Sequence, residues 1–281
     1  MSLGRKRAPR FARRIPFGPM ILLPAGWIVL LLTVAFFVPL QDPLRPDFLH
    51  PAEGFSRTHL LGTDLLGRDL LSRLAHGARI SLTLAFLAPV VGFAVALPSG
   101  MAAGHFKGWT DRTLSVINDT ILAFPRIILA IGMIFYVGAT LINLTLVISL
   151  FTTPNLFRIT RSTAMTFSDR EFVLAARALG ASELRILVRE ILPNVIQPTA
   201  AYALMTMSIV VVLEGSLSFL GIGVPPPTPT WGKMIAEGYD YIFTNPQLCL
   251  IPSATMFLTI LSFNLIGDQV TRLTEMRGTR L

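Results

Sequence analysis

The chain alternates between long apolar runs and short segments that hold nearly all of its charges. Uncharged runs cover residues 15–41, 80–104, 191–213 and 241–267, and residues 120–157 contain a single charge, Arg126. A helix that crosses the hydrocarbon core needs about 20 residues. Each of the first four runs therefore predicts one span, the one from 191 continuing past Glu214 to about Gly223. Residues 120–157 are long enough for two spans joined by a tight turn near Gly138. The pattern predicts an all-α, polytopic membrane protein with six transmembrane helices.

These runs divide the chain into five parts. In order they are a basic cytoplasmic tail (1–16), a first transmembrane helix (17–40), an extracytoplasmic loop with an amphipathic interfacial helix (41–79), a core of five spans (80–270) and a cytoplasmic tail (271–281). In the loop, Thr63 is expected to cap the interfacial helix and Asp64 to lie in its first turn, where the helix dipole favours a negative charge.

Composition and charge support a membrane location. Hydrophobic residues make up 52% of the 281 residues and charged residues 14%, whereas soluble domains carry about 25% charged residues. The net charge of +8 could indicate a nucleic-acid partner, but the basic residues lie in short segments between apolar runs. Most of the 24 Lys and Arg residues fall on the inner side if the N-terminal tail is cytoplasmic. We therefore expect both termini in the cytoplasm, membrane lipid as the surroundings, and no nucleic-acid partner.

The polar segment between the fourth and fifth spans predicts a helical hairpin. Ser168 and Glu171 have the spacing of a capping box, which predicts a helix over residues 169–179. Gly180 supplies a left-handed stop, and Ser182 begins a second short helix that is expected to end before Pro193. The residues alone leave two interpretations equally open, an ordinary surface hairpin and a docking surface for another protein.

The same hairpin resembles the EAA signature of ABC importer permeases. The matching positions are the alanine pair Ala175 and Ala176, then Gly180, and the terminal Leu192-Pro193. Two positions depart from the general pattern, because Leu174 stands where the motif has glutamate and Glu190 where isoleucine is usual. The resemblance to the peptide/nickel branch of the family is closer, and it extends to other segments: 62–69, 171–181, 214–221, 226–232 and 263–268. The short tail and single span before residue 62 resemble the second, "C"-type permease of dipeptide and oligopeptide systems.

The resemblance implies a type I ABC importer (MetI-like) core over residues 80–270 and a division of labour between subunits. A second homologous permease, two cytoplasmic ATPase subunits or domains and an extracytoplasmic binding protein are the implied partners, and di- or oligopeptides are the implied solutes. The hairpin, residues 167–193, becomes the segment that couples to an ATPase. Its implied coupling residues are Glu171, Ala175, Ala176, Arg177, Leu179, Gly180, Ala181 and Pro193. The chain itself contains no Walker-type phosphate-binding sequence, so we expect a permease subunit that is not an enzyme and has no cofactor, metal or catalytic residue.

Polar residues within the spans are candidates for the translocation path or its gate. Arg126 lies seven residues beyond Asp119, so its side chain could either reach back to the headgroups or line the path. Glu214 is expected near the outer end of span five, as a gate contact or an interfacial residue. Ser218 is predicted to belong to the same path or gate. Gly100 and Gly104 form a GxxxG pattern, for which a helix contact and coincidence remain equally open.

Two other classes of membrane protein were compared with this interpretation. A secondary carrier would need ion-coupling acids near the midplane and an internal repeat; no repeat is evident. A membrane enzyme would need a catalytic constellation, whereas His50, His59, His76 and His105 are scattered without metal-ligand spacing and are expected to be interfacial. Nickel or a haem-like ligand is the alternative solute within the ABC class. The aromatic residues Trp231, Tyr239, Tyr241 and Phe243 predict an interfacial belt.

Overall fold

A computed structural model describes residues 19–278, with side chains described for residues 21–272. Within that range the chain is helical and has no β-strand. The helices are α1 (Pro19–Phe36), α2 (Leu70–Phe106), α3 (Gly108–Ala123), α4 (Arg126–Val137), α5 (Leu141–Ser168), α6 (Glu171–Ala178), α7 (Glu183–Ile186), α8 (Leu192–Phe219), α9 (Trp231–Tyr239) and α10 (Gln247–Gly278). A π-helical turn, Leu187–Ile191, joins α7 to α8. The predicted all-α fold is confirmed, and the basic tail over residues 1–16 lies outside the described residues.

Four of the described helices are long and apolar enough to cross a membrane. They are α2, α5, the unit that runs from α7 through α8, and α10; the bent pair α3 and α4 would make a fifth span. Helix α1 has 18 residues and falls below that length where its side chains are described. The structure therefore supports up to five of the six predicted spans, and the span over residues 17–40 stays a prediction.

The long helices connect two ends of the molecule. One end, called here the loop end, carries residues 37–69 and 220–246; the other, the hairpin end, carries the hairpin. Helix α2 runs from the loop end to the hairpin end, α5 runs in the same direction, and α8 returns to the loop end. Helix α10 starts at the loop end and continues to Gly278, beyond the boundary predicted at residue 270.

The third apolar segment is a broken helix, which corrects the prediction of one continuous span. Helices α3 and α4 meet at an angle of 90°. Phe124 has an extended backbone, with φ −90° and ψ 139°, because a residue that precedes proline is pushed out of the helical region. Pro125 itself has no N–H to donate to the helix. The turn predicted near Gly138 is confirmed, since Gly138 ends α4 with a φ of +87°.

Residues 37–69 form a folded loop in place of the predicted interfacial helix. Gly67 has a φ of +74°, which a right-handed helix does not allow. The carboxylate of Asp64 instead accepts from the amides of Leu66 and Arg68, both at 2.9 Å. Thr63 is fully buried and donates its hydroxyl to a carbonyl in the loop. The helix starts later, at Leu70, where Asp69 caps it by accepting from the amide of Ser72 at 2.7 Å.

Helices α2 and α5 pack closely because α2 presents glycines to its neighbour. A Cβ atom placed on Gly92 would lie 2.6 Å from the Oγ1 of Thr152, and one on Gly100 would lie 2.7 Å from the Cβ of Thr160. One placed on Gly104 would lie 2.5 Å from the backbone oxygen of Arg161. Small residues allow helix backbones to approach in this way. The GxxxG pattern therefore marks a helix contact, which settles the question left open above.

We expect Gly104→Ala to lower the thermal stability of the detergent-purified protein. The added methyl group must displace the α5 backbone, and overpacking of this kind costs about 1–3 kcal/mol. Gly26→Ala is the matched control, because the space around Gly26 is open within the described part of the chain and alanine favours a helix. Thermal unfolding of the two variants checks the expectation; equal melting temperatures would contradict the close approach of α2 and α5.

Candidate functional site

The hairpin begins differently from the predicted capping box. Ser168 is the last residue of α5, and Arg170 occupies the N-cap position of α6 with an extended backbone. The hydroxyl of Ser168 lies 3.0 Å from the Nδ1 of His105, on α2. The predicted capping box of Ser168 and Glu171 is therefore wrong, because a partner distant in sequence engages the serine.

The turn of the hairpin agrees with the prediction, and its second helix does not. Gly180 has a φ of +80° and its amide donates to the carbonyl of Arg177 at 3.0 Å, so it acts as the left-handed stop. Ser182 then precedes α7 in an extended conformation. The chain continues from α7 through the π-helical turn into α8, in which Pro193 is the second residue. The expected end before Pro193 is wrong, because proline is tolerated in the first turn of a helix.

One side of the hairpin is anchored to the long helices. Val173, Ile186 and Ile191 are completely buried and form an apolar cluster with Met101 on α2 and Ala164 on α5. These contacts hold the two short helices and the π-helical turn against the hairpin end of the bundle.

The opposite side of the hairpin exposes apolar side chains. Leu179 is 88% exposed and Leu184 is 70% exposed, and Phe172, Leu174 and Val188 add to the same surface. Of the residues predicted to couple, Glu171, Ala175, Arg177, Leu179, Gly180 and Pro193 are exposed, and Ala176 and Ala181 are half-buried. Exposed apolar patches on a polar segment are typical of protein–protein contact sites.

A polar cluster ties the hairpin to α2. Glu183 accepts from the guanidinium of Arg177 at 2.9 and 3.0 Å, and this hydrogen bond raises the pKa of Arg177. The Nε2 of His105 lies 2.7 Å from Oε2 of the same carboxylate, the oxygen that also accepts from the Nη2 of Arg177. His105 is buried, which corrects its expected interfacial position. His105 and Glu183 were not predicted as members of this site, because residues 78 positions apart in the chain leave no local pattern that links them.

A second buried polar cluster lies near the loop end. Glu214, on α8, is 1% exposed. Its carboxylate accepts from the hydroxyl of Ser218 at 2.7 Å and from that of Ser81, on α2, at 2.8 Å. Glu214 is therefore enclosed within this subunit and joins α2 to α8, which rules out exposure at the interface, one of the two alternatives for this residue.

Helix α9 is held against α2 by further long-range contacts. Trp231 is fully buried and donates its Nε1–H to the carbonyl of Leu74 at 3.0 Å, so its predicted place in an exposed aromatic belt is wrong. Tyr239, Tyr241 and Phe243 are exposed, as such a belt requires.

Buried charges form a network beside this contact. Arg73, on α2, pairs with Asp64 and also with Glu237, on α9, at 2.7 Å. His59 pairs with Asp69 at 3.1 Å and is buried, again in contrast to the expected interfacial position. Burial lowers the pKa of the nearby Lys233 amine, an effect that Glu237 opposes and Arg73 reinforces. Among residues 19–278 no group of three or more His, Cys, Asp or Glu side chains is placed to hold a metal ion.

Arg126 lies directly after the break between α3 and α4. It is the first residue of α4 and is half-buried. The separation of seven residues from Asp119 does not define the depth of Arg126, because the 90° bend interrupts the helix between them. The face of α4 next to it is apolar and open: it carries a groove of about 430 Å³, and Phe135 is 92% exposed. The groove is lined by Phe124, Pro125, Ile128, Leu129, Gly132, Met133, Tyr136 and Val137.

Comparison with known proteins identifies one family. Residues 96–278 match the family described as "Binding-protein-dependent transport system inner membrane component". The "Glutathione transport system permease protein GsiD" of Pectobacterium atrosepticum is 35% identical over 253 residues, which cover 88% of this chain and 84% of that protein. The protein of the same name from Escherichia coli O6:K15:H31 is 35% identical over 262 residues, covering 92% and 86%.

Solved structures show the same fold. An inward-facing form of the MetNI methionine ABC transporter aligns with a TM-score of 0.60 and 21% identity, over 72% of this chain and 96% of that chain. An amino acid ABC transporter crystallised with histidines aligns with a TM-score of 0.55 and 14% identity, over 71% and 93%. The expected MetI-like permease fold is therefore confirmed.

We expect Glu214→Ala to destabilise the protein, because the hydroxyl groups of Ser81 and Ser218 lose a buried acceptor and each unsatisfied group costs about 1–3 kcal/mol. Ser216→Ala is the matched control on the same helix, since the exposed Ser216 hydroxyl bonds only within its own helix, to the carbonyl of Val212. Thermal unfolding in detergent separates the two variants. A Glu214→Ala protein as stable as the control would show that this cluster does not hold the loop end together.

Proposed function

Since the chain belongs to the family of binding-protein-dependent transport system inner membrane components, we propose that it forms half of the path through which a di- or oligopeptide importer moves its solute. As a member of this family it is a permease subunit of an ATP-driven importer and not an enzyme. Its partners include an ATPase and a substrate-binding protein. Family membership also excludes the secondary carrier and the membrane enzyme that the sequence analysis considered.

One observation supports peptides, and not nickel or a haem-like ligand, as the solute. The relatives with 35% identity over about nine-tenths of this chain are named as glutathione transport permeases. Glutathione is a tripeptide, so their solute belongs to the class that the sequence motifs imply. Similarity along the whole chain supports the transfer of solute class better than a match at a single motif.

We assign the ATPase contact to the exposed side of the hairpin. Its anchored side packs on α2, α5 and α8, so a force applied to the hairpin reaches those helices directly. Its exposed side combines large apolar side chains such as Leu179 and Leu184 with the small residues Ala175 and Ala178. Small residues let another protein approach the backbone, and the large ones supply apolar area for the contact.

This assignment determines which end of the molecule faces the cytoplasm. The hairpin end faces the cytoplasm, where ATP is available, and the loop end faces the binding protein. Both chain termini then lie in the cytoplasm, as the excess of basic residues in the N-terminal tail also favours.

The broken helix is the best candidate for the translocation path. The chain passes from the hairpin end to the loop end through α3 and α4, so their break lies between the two ends. Phe124 and Pro125 are exposed in this subunit. Non-helical backbone at membrane depth is tolerated only where protein buries it or water reaches it. We therefore place the path, or the contact with a second homologous permease, at this break and at the open face of α4.

Arg126 fits this placement as a path-lining cation. It lies at the break, and a cation there would meet the carboxylate of a passing peptide. Glu214 and Ser218 are buried and join α8 to α2, so we assign them to the support of the outer gate, which they serve by holding those two helices together. In the alternating-access cycle, closure of the ATPases draws the hairpins together and exposes the path to each side in turn.

We expect Leu179→Asp to abolish co-purification of the ATPase subunits with this chain. The side chain is almost fully exposed, so folding of the subunit is preserved while a charge enters an apolar contact. Burial of an unpaired carboxylate costs several kcal/mol and therefore weakens binding by a factor of about 10² or more. Leu60→Asp is the control, since Leu60 is also exposed but lies at the loop end. Retention of the ATPases by Leu179→Asp would contradict the assignment of the contact.

The solute class is tested by uptake into proteoliposomes that contain the assembled transporter, its binding protein and internal ATP. We expect uptake of radiolabelled glutathione or of a dipeptide such as dialanine. Arg126→Leu should reduce this uptake about tenfold or more, the scale of one lost charge–carboxylate interaction, while ATPase assembly is retained. Uptake of nickel or haem with neither peptide transported would overturn the proposed solute.

A further inference from the structure

The buried histidine at the hairpin end makes a link that the packing of the hairpin does not require. His105 follows directly after Gly104, where α2 packs against the backbone of α5. Its side chain is 1% exposed and contacts two different elements, Ser168 at the end of α5 and Glu183 at the start of α7. One imidazole thus joins span two, span four and the hairpin.

The chemistry of these two contacts defines the link. The ionised carboxylate of Glu183 only accepts hydrogen bonds, so the Nε2 of His105 donates to it. The Nδ1 atom then faces the hydroxyl of Ser168, which can donate to a neutral ring or accept from a protonated one. Both contacts therefore persist in either charge state of His105.

Glu183 extends the link across both short helices of the hairpin. Both carboxylate oxygens accept from the guanidinium of Arg177, on α6, and Oε2 also accepts from His105. The turn at Gly180 lies between Arg177 and Glu183, so this ion pair closes the hairpin on itself. A displacement of α6 or α7 therefore reaches the His105 side chain through Glu183.

The other contacts of the hairpin cannot replace this link. The apolar cluster around Val173 and Ile186 is non-directional, so it holds the hairpin in place without defining its rotation. Lys107 and Asp169 pair at 2.8 Å between the ends of α2 and α5, but both side chains are substantially exposed, and exposed pairs contribute little. In the His105–Glu183 bond the histidine is 1% exposed and the carboxylate 45% exposed, so one partner is fixed by burial, and the bond is directional and charge-assisted.

We propose that His105 is a positioning residue that transmits movement of the hairpin to the closely packed α2–α5 pair. This inference rests on the proposed role of the hairpin as the ATPase contact. When the ATPases move the hairpin, the His105–Glu183 bond keeps α2 in register with it, and the glycine contacts carry the movement to α5. Without that bond the hairpin still binds the ATPase, but it rotates about its apolar cluster and its movement no longer reaches α2.

The experiment compares two substitutions that each keep one of the two contacts. In His105→Gln the side-chain amide can still reach Glu183, whereas in His105→Asn it can reach only Ser168. Lys107→Gln is the matched control, because it removes an exposed ion pair from the same end of α2. Each variant is assembled with the ATPases and the binding protein in proteoliposomes, and uptake of radiolabelled glutathione is divided by ATP hydrolysed.

For His105→Asn we expect the ATPases to remain bound, with uptake per ATP reduced about tenfold, the scale of a typical coupling free energy between two sites. His105→Gln and Lys107→Gln should stay within about twofold of the unmodified protein. Unchanged uptake per ATP in His105→Asn would overturn the proposal, and so would an equal loss in His105→Gln.

A distance measurement separates this inference from the proposed function. Spin labels are placed at Val95→Cys on α2 and at Ser182→Cys in the hairpin, after Cys249→Ala removes the one native cysteine. We expect a narrow distance distribution that broadens in His105→Asn and narrows again in His105→Gln. A distribution unchanged by His105→Asn overturns the link itself. Absence of ATPase binding by the unmodified protein would instead refute the proposed function.

Discussion

The close approach of α2 and α5 is the contact on which the rest of the structure depends. In a bilayer, apolar side chains gain little by leaving lipid for protein, so helices associate through close van der Waals packing between small residues. Gly92, Gly100 and Gly104 supply such a surface along α2. The resulting pair forms the body against which the hairpin is seated, and it brings His105 within reach of the end of α5.

The two ends of this body are built in different ways, and the difference matches their proposed roles. At the loop end, buried charges and hydroxyls around Arg73 and Glu214 tie α2, α8 and α9 into one unit. At the hairpin end, an apolar cluster seats the hairpin and one directional polar link fixes it. An alternating-access transporter that receives its energy from a separate protein needs a segment that this protein can move. In the proposed function the hairpin is that segment, and the loop end is the more rigid part.

The broken third segment is the feature of the subunit that the proposed path accounts for. The backbone around Pro125 interrupts a helix between the two ends of the bundle, and the adjoining face of α4 is apolar and open. Lipid satisfies neither free backbone groups nor a charge such as Arg126. A partner subunit or a water-filled path beside the break would satisfy these groups, and the proposed path between two permeases would supply both.

The order of apolar runs by itself determined the helical fold and the location of most spans, because a bilayer imposes a length and polarity requirement that is local in the chain. Gly180 and Gly138 were also predictable, since a positive φ strongly favours glycine. Only the tertiary structure decided which polar residues act together. Ser168, Thr63 and Trp231 were each assigned a local role, yet each has a partner brought close by helix packing. Hydrogen bonds such as His105–Glu183 depend on which helices meet and at what depth, and a contact between residues 78 positions apart leaves no local pattern in the sequence.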